Sequence, residues 1–297
     1  MKVRIGIALG GYGDPGRFAG IVDRLEEIGV DSLWLQEMVF GPLVEPFLGM
    51  AHALSRTEHL KVGTGVAVLP GRHPVLVAKE LATLAGLAPG RVLPAFGLQP
   101  ARPNERALFP VPSGRRGAVF DESLELLRLL LRQENVSFTG QYFTVDGASV
   151  GPLPPKPVDI WTGGIAPGAL RRAGRLADGW LGSFLTPDES RAAREAIQAS
   201  AAEAGREIEP DHFGISLAVA TDGIPDEVAA AVRQRRPDTD PAALVPTSWA
   251  DARRMIEEYV NAGLTKFVVR PAAVSPDPNA FDEFLEHFVA DLMPLQN

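Results

Sequence analysis

The chain has 297 residues, 45% of them hydrophobic, a formal net charge of −8 and no cysteine. This is enough chain for one large domain, and it excludes disulfide and thiolate chemistry. The acidic balance argues against nucleic acid or an anionic membrane surface as a partner. No run of about 20 apolar residues is present, and MKVRIGIALGG is too short an apolar run for a signal peptide. A soluble cytoplasmic protein without a membrane partner is the expectation.

Val3 to Leu9 reads as a strand, followed by a glycine-rich turn over Gly10 to Asp14 and a helix from Pro15 to Gly29. The GGYG cluster lacks the full GxGxxG spacing, so a tight turn is preferred to a phosphate cradle. Asp31 to Glu37 is a second strand, with Glu37 at its C-terminal end. Glu45 to Ser55 is helical. Lys61 to Gln99 forms a βαβ unit: a β-branched strand to Leu69, a helix over Val75 to Leu87, and an apolar strand over Arg91 to Leu98. Gly63-Thr64-Gly65-Val66 is unusual, because glycine inside a strand marks a bulge or a close ligand; spacing alone leaves both open.

A proline-rich loop spans 100–113, followed by an amphipathic helix from Arg115 to Leu131. Residues 136–147 suggest a β-hairpin, and 134–157 is read as an insertion in one domain covering 1–297. Strands follow at Val158–Thr162, Asp178–Leu185, His212–Ala220 and Lys266–Arg270. Helices follow at Pro167–Leu176, Pro187–Ala204, Asp226–Arg235, Trp249–Ala262 and from about Asn279 to Asp291. Eight strands alternating with helices favour an α/β fold closed as a (β/α)8 TIM barrel.

Such barrels place their sites at the C-terminal strand ends. Here those ends hold Leu9 to Gly11, Gln36 to Met38, Thr64 to Val66, Gly97 to Gln99, Gly163-Gly164, Ser183, Ala220 and Arg270. The set is rich in glycine and poor in acids and bases, which suits a large bound cofactor carrying its own chemistry. Gly163-Gly164 ahead of a helix is a natural phosphate site, though also a common βα turn. His and Asp do not cluster at strand ends, so no metal site is expected. His73 is left between a loop-shaping and a functional role, and Glu105 is read as a solvated loop charge. Trp34 and Trp161 are assigned to the core, and Phe40 is the aromatic expected to reach substrate.

Four stretches resemble the bacterial luciferase-like family of flavin and deazaflavin oxidoreductases: VGTGVAVLPGRHPVLVAKELATLAGLAPGRV, RRGAVFDESLELLRLL with VSFTGQYF, PKPVDIWTGGIAPGALRRAGRLADGWL, and AGLTKFVVRP. The resemblance implies a tricyclic cofactor at the barrel mouth, coenzyme F420 or alternatively FMN, with a small-molecule substrate. It implies cofactor contacts from Thr64, a cis Gly65-Val66 bulge, Gly97, and a phosphate loop of Gly163, Gly164, Ile165 and Ala166. Glu37 and Gln99 are the implied catalytic positions. Members that oxidise alcohols carry Asp-His or Glu-His after strand two, where this chain has Glu37-Met38, and an acid after strand four, where it has Gln99-Pro100. Alcohol oxidation is therefore discounted. Arg72, Arg102, Arg106, Arg115 and Arg116 are the residues expected to make a basic mouth for the deazaflavin tail. The resemblance also implies a homodimer, and a partner flavin reductase if the cofactor is FMN used by a monooxygenase. A barrel that binds cofactor without catalysis is the alternative of another class.

Overall fold

The computed structural model describes residues 2–275, 277 and 279–297. In chain order the strands are β1 (Arg4–Ala8), β2 (Ser32–Leu35), β3 (Lys61–Thr64), β4 (Ala67–Val68), β5 (Val92–Leu93), β6 (Ala95–Gly97), β7 (Val136–Thr139), β8 (Thr144–Ala148), β9 (Trp161–Gly163), β10 (Gly179–Ser183), β11 (Phe213–Val219) and β12 (Lys266–Pro271). The helices are α1 (Pro15–Glu27), α2 (Pro46–Arg56), α3 (Pro74–Leu87), α4 (Arg116–Leu130), α5 (Pro167–Leu176), α6 (Pro187–Glu203), α7 (Asp226–Arg235), α8 (Trp249–Asn261) and α9 (Ala280–His287). Proline opens α1, α2, α3, α5 and α6, where its missing N–H costs nothing and its φ is already helical. The α9 helix is shorter than the sequence suggests, because the chain passes into a π turn at Phe288–Leu292.

All pairings among these strands are parallel except the β7–β8 hairpin. The segments β3 and β4 are one strand interrupted at Gly65-Val66, and β5 and β6 are one strand interrupted at Pro94. Pairing β3 with β5 and β4 with β6 closes the ring, since the order runs β6, β9, β10, β11, β12, β1, β2, β3. The result is the expected (β/α)8 barrel.

Alternation along the strands separates two cores. Outward residues such as Ile5, Ile7, Leu33, Phe96 and Val269 pack under the helices. Inward residues Ala8, Trp34, Ala95, Trp161, Leu181 and Val268 fill the barrel. Trp34 and Trp161 meet edge to face with centroids 6.2 Å apart. Room for the second indole comes from Gly179, where a Cβ would lie 2.4 Å from the Trp161 ring. At the closed end Lys266 and Lys61 each reach Asp31 at 2.9 Å. Burial pushes the Asp31 carboxyl up, but the two ammonium groups more than offset it and bring it down to about 2.

Candidate active site

A cavity of about 550 Å³ opens at the C-terminal ends of the strands. Seven of the residues expected there, Gly65, Val66, Gly97, Gly163, Gly164, Ile165 and Ala166, share its wall with Glu37 and Gln99. Thr64 does not line it. Its buried hydroxyl donates to the Ala95 carbonyl at 2.6 Å and accepts the Ala95 N–H at 2.9 Å, pinning β3 to β6.

The peptide between Gly65 and Val66 is cis. Gly65 N–H donates to the Leu35 carbonyl at 2.7 Å and Val66 carbonyl accepts from Glu37 N–H at 3.4 Å, so the bulge is tied back to β2. The Val66 side chain explains two of the wall glycines. A Cβ on Gly97 would sit 2.7 Å from one Val66 methyl, and a Cβ on Gly163 would sit 3.2 Å from the other. Glycines on the neighbouring strand ends are thus required by a protein side chain. Val66 completes the floor of the cavity between them.

Glu37 is buried, and both of its oxygens are engaged. Oε2 accepts the Val68 N–H at 2.6 Å, and Oε1 pairs with Arg72. Burial pushes the Glu37 carboxyl up, opposed by the Val68 N–H and the Arg72 charge. Arg72 is further held over the rings of Phe47 and Phe109, at 5.4 and 5.6 Å, and donates to the Val68 carbonyl. This carboxylate therefore braces residues 66–68. Gln99 is exposed at the rim.

Beyond β9, Gly164 adopts φ +108°, and its carbonyl accepts the Trp180 indole N–H at 2.9 Å. The α5 helix then starts at the cavity. Its N-cap, Ala166, offers no side-chain oxygen to the first-turn N–H groups, and Ala166 and Ala169 face the cavity. An uncapped helix N-terminus beside a glycine that a Cβ would strain is a fitting cradle for a phosphate.

Several expected contributors lie elsewhere. None of Arg72, Arg102, Arg106, Arg115 and Arg116 lines the cavity; Arg102 is spent on the Phe40 carbonyl and Arg116 on the Phe109 carbonyl. Phe40 is also off the wall. Glu105 is buried instead of solvated: Oε1 accepts the Phe40 N–H at 2.9 Å, and Oε2 has no hydrogen-bond partner among the described residues. His73 shapes its loop, capping α3 and meeting the Phe143 ring at 5.4 Å. Arg172 and Arg235 on the wall carry no signal in the sequence, because both look like solvent-facing charges on polar helices. Among the described residues no cluster of histidine and carboxylate groups is suited to a metal ion, and no helix is long and apolar enough to cross a membrane.

Comparison with known proteins adds to this geometry. A family model described as luciferase-like monooxygenase matches residues 1–281. An F420-dependent glucose-6-phosphate dehydrogenase of Kineococcus radiotolerans is 28% identical, with 95% of this chain and 93% of that protein aligned. Among solved structures, an F420-dependent secondary alcohol dehydrogenase in complex with an F420-acetone adduct superposes with TM-score 0.81 at 21% identity, covering 100% of both chains. The oxygenating constituent of 3,6-diketocamphane monooxygenase of Pseudomonas putida, in complex with FMN, gives TM-score 0.76 at 18% identity, covering 100% of this chain and 99% of that one. At these identities the structural likeness is one of fold.

Proposed function

We propose, from the premise that this chain belongs to the luciferase-like monooxygenase family, that it is a coenzyme F420-dependent oxidoreductase acting on a small organic substrate. One observation carries the reading: the Gly65-Val66 floor and the Gly164–Ala166 cradle face the same cavity, at a spacing set by neighbouring strands β4, β6 and β9. The full-length match to an F420-dependent dehydrogenase favours the deazaflavin over FMN. When bound, the deazaflavin supplies or accepts a hydride at its C5.

The chain's own residues bind and orient. Val66, seated between Gly97 and Gly163, supports the ring. Gly164, Ile165 and Ala166, with the α5 N-terminus, hold the phosphate. Glu37 positions this floor through Val68 and Arg72, and Gln99 supplies a hydrogen-bonding amide at the rim. Among the described residues Glu37 is the one carboxylate on the wall, and both its oxygens are taken. No free base therefore stands ready for a hydroxyl proton, which keeps alcohol oxidation disfavoured.

Titration of the purified protein with F420 and with FMN, followed by tryptophan fluorescence, tests the cofactor. Trp180, bonded to the Gly164 carbonyl, is the reporter. Saturable F420 binding with FMN much weaker is expected. Tighter FMN binding would transfer the site to oxygen-dependent flavin chemistry, and binding of neither would overturn the assignment.

A further inference from the structure

The cavity wall is electrostatically lopsided. Its charged residues are Glu37, Arg172, Arg235 and Arg270. Glu37 is matched by Arg72, and Arg172 by Asp121. Arg235 and Arg270 have no carboxylate within 4.0 Å among the described residues. Among the described residues Arg270 donates only to the neighbouring Pro271 carbonyl, at 3.3 Å. Arg235 donates to the Ala231 carbonyl of its own helix at 3.2 Å and lies over the Phe184 ring at 4.9 Å. In a chain of net charge −8, the solvent-side charge of this mouth is positive.

Two hydroxyls join them. Inward-facing positions alternate along a strand, and Arg270 shares the inner face of β12 with Val268. Ser183 on β10 pairs in register with Ser216 on β11, while Ser216 pairs with Val268. Ser183, Ser216 and Arg270 therefore point into the mouth from three adjacent strands. All three line the cavity, and neither serine hydroxyl has a protein hydrogen-bond partner among the described residues. Burial and the like charge of Arg235 lower the Arg270 pKa, as expected where a cation awaits a counter-charge. The phosphate cradle at Gly164 follows β9, three strands from β12. That is about 14 Å along the sheet at the usual strand spacing of about 4.8 Å.

We propose that Ser183, Ser216, Arg235 and Arg270 form an oxyanion subsite, so that the substrate carries a carboxylate or phosphate held on the β10–β12 side of the mouth. The proposal rests on the reading of this cavity as the cofactor and substrate site. Guanidinium groups suit it because they present paired N–H donors in a planar fork.

The test uses F420-loaded protein, so that the α5 cradle is filled, titrated with inorganic phosphate and with acetate at constant ionic strength and read by calorimetry. Saturable binding of at least one anion is expected. Arg270→Gln and Arg235→Gln should each weaken it by about tenfold or more, while F420 affinity stays within twofold. Arg270→Lys should retain part of the anion affinity and shows that a loss in Arg270→Gln is not unfolding. Unsaturable binding of both anions, or unchanged affinity in Arg270→Gln, would overturn the subsite. So would a tenfold loss of F420 affinity in that variant, which would give these arginines to the cofactor's own acidic tail. If wild type fails to bind F420, the cofactor reading fails separately. The same phosphate titration on cofactor-free Gly164→Asp protein, with its cradle closed to anions, then still decides the arginine subsite.

Discussion

Gly97→Ala is the sharpest probe of how the mouth is built. The added Cβ would lie 2.7 Å from a Val66 methyl, about 1 Å inside an ordinary carbon–carbon contact. Val66 has no easy retreat, because its other methyl already faces Gly163 at a distance that would leave 3.2 Å to a Cβ there. The overlap must be relieved by moving the 65–68 segment, which Glu37 and Leu35 hold through backbone hydrogen bonds. Overpacking of this kind costs about 1–3 kcal/mol. At roughly 2–4 °C per kcal/mol for a large domain, Tm should fall by several degrees. Cofactor affinity should fall with it, since the floor is displaced. Val66→Ala removes the methyls that Gly97→Ala strikes. The double variant should therefore recover stability relative to additivity, with a coupling of about 0.5–3 kcal/mol. Thermal midpoints of wild type, both single variants and the double variant give that coupling. Strict additivity, or an unchanged Tm in Gly97→Ala, would show that Val66 is not what these glycines accommodate.

Two further outcomes concern the rest of the frame. Asp31 has a folded pKa of about 2, below its unfolded value, so its stabilising contribution is present above about pH 4 and lost as pH falls toward 2. That contribution is about 2 kcal/mol. Asp31→Asn should leave Lys266 buried beside a neutral partner, cost about 3–5 kcal/mol near neutral pH, and flatten the acid limb of a urea-denaturation profile; an unaltered limb would place the acid transition elsewhere. Trp180→Phe deletes the donor to the Gly164 carbonyl and should cost about 1–3 kcal/mol together with a several-fold loss of F420 affinity, both checked on the same purified variant by denaturation and absorbance titration.

The architecture was legible because its signals are local. Each of the eight strands is a short apolar run bounded by glycine, proline or an acidic turn, and five helices announce themselves with a proline at the first position. Residues 136–147 also read correctly as a hairpin, because alternation in VSFTGQYFTV needs no distant partner. Most of the residues that the strand-end rule selects then fall on the cavity wall without knowledge of any contact, whereas Leu9 to Gly11, Thr64 and Ala220 do not.

What escaped the sequence depends on partners far away in the chain. Glu37 and Arg72 are 35 residues apart, and nothing local says that the carboxylate is already committed when it reaches the mouth. Glu105 sits in a polar, proline-rich stretch that reads as solvated, yet the chain folds it against Phe40, 65 residues away, and buries it. Arg235 belongs to a helix of low apolar content whose other charges face water, yet its guanidinium lies over Phe184, which follows β10, and both line the cavity. Glycine is the reverse case: Gly97 and Gly163 are conspicuous in the sequence, but their reason, a Val66 side chain wedged between two strand ends, exists only once three segments are paired. A wall glycine and a wall charge therefore carry different information. The glycine marks where backbone must come close, whether to protein or to ligand. The charge becomes informative only through its counter-charge elsewhere in the fold, and among the described residues Arg235 and Arg270 face the cavity without one.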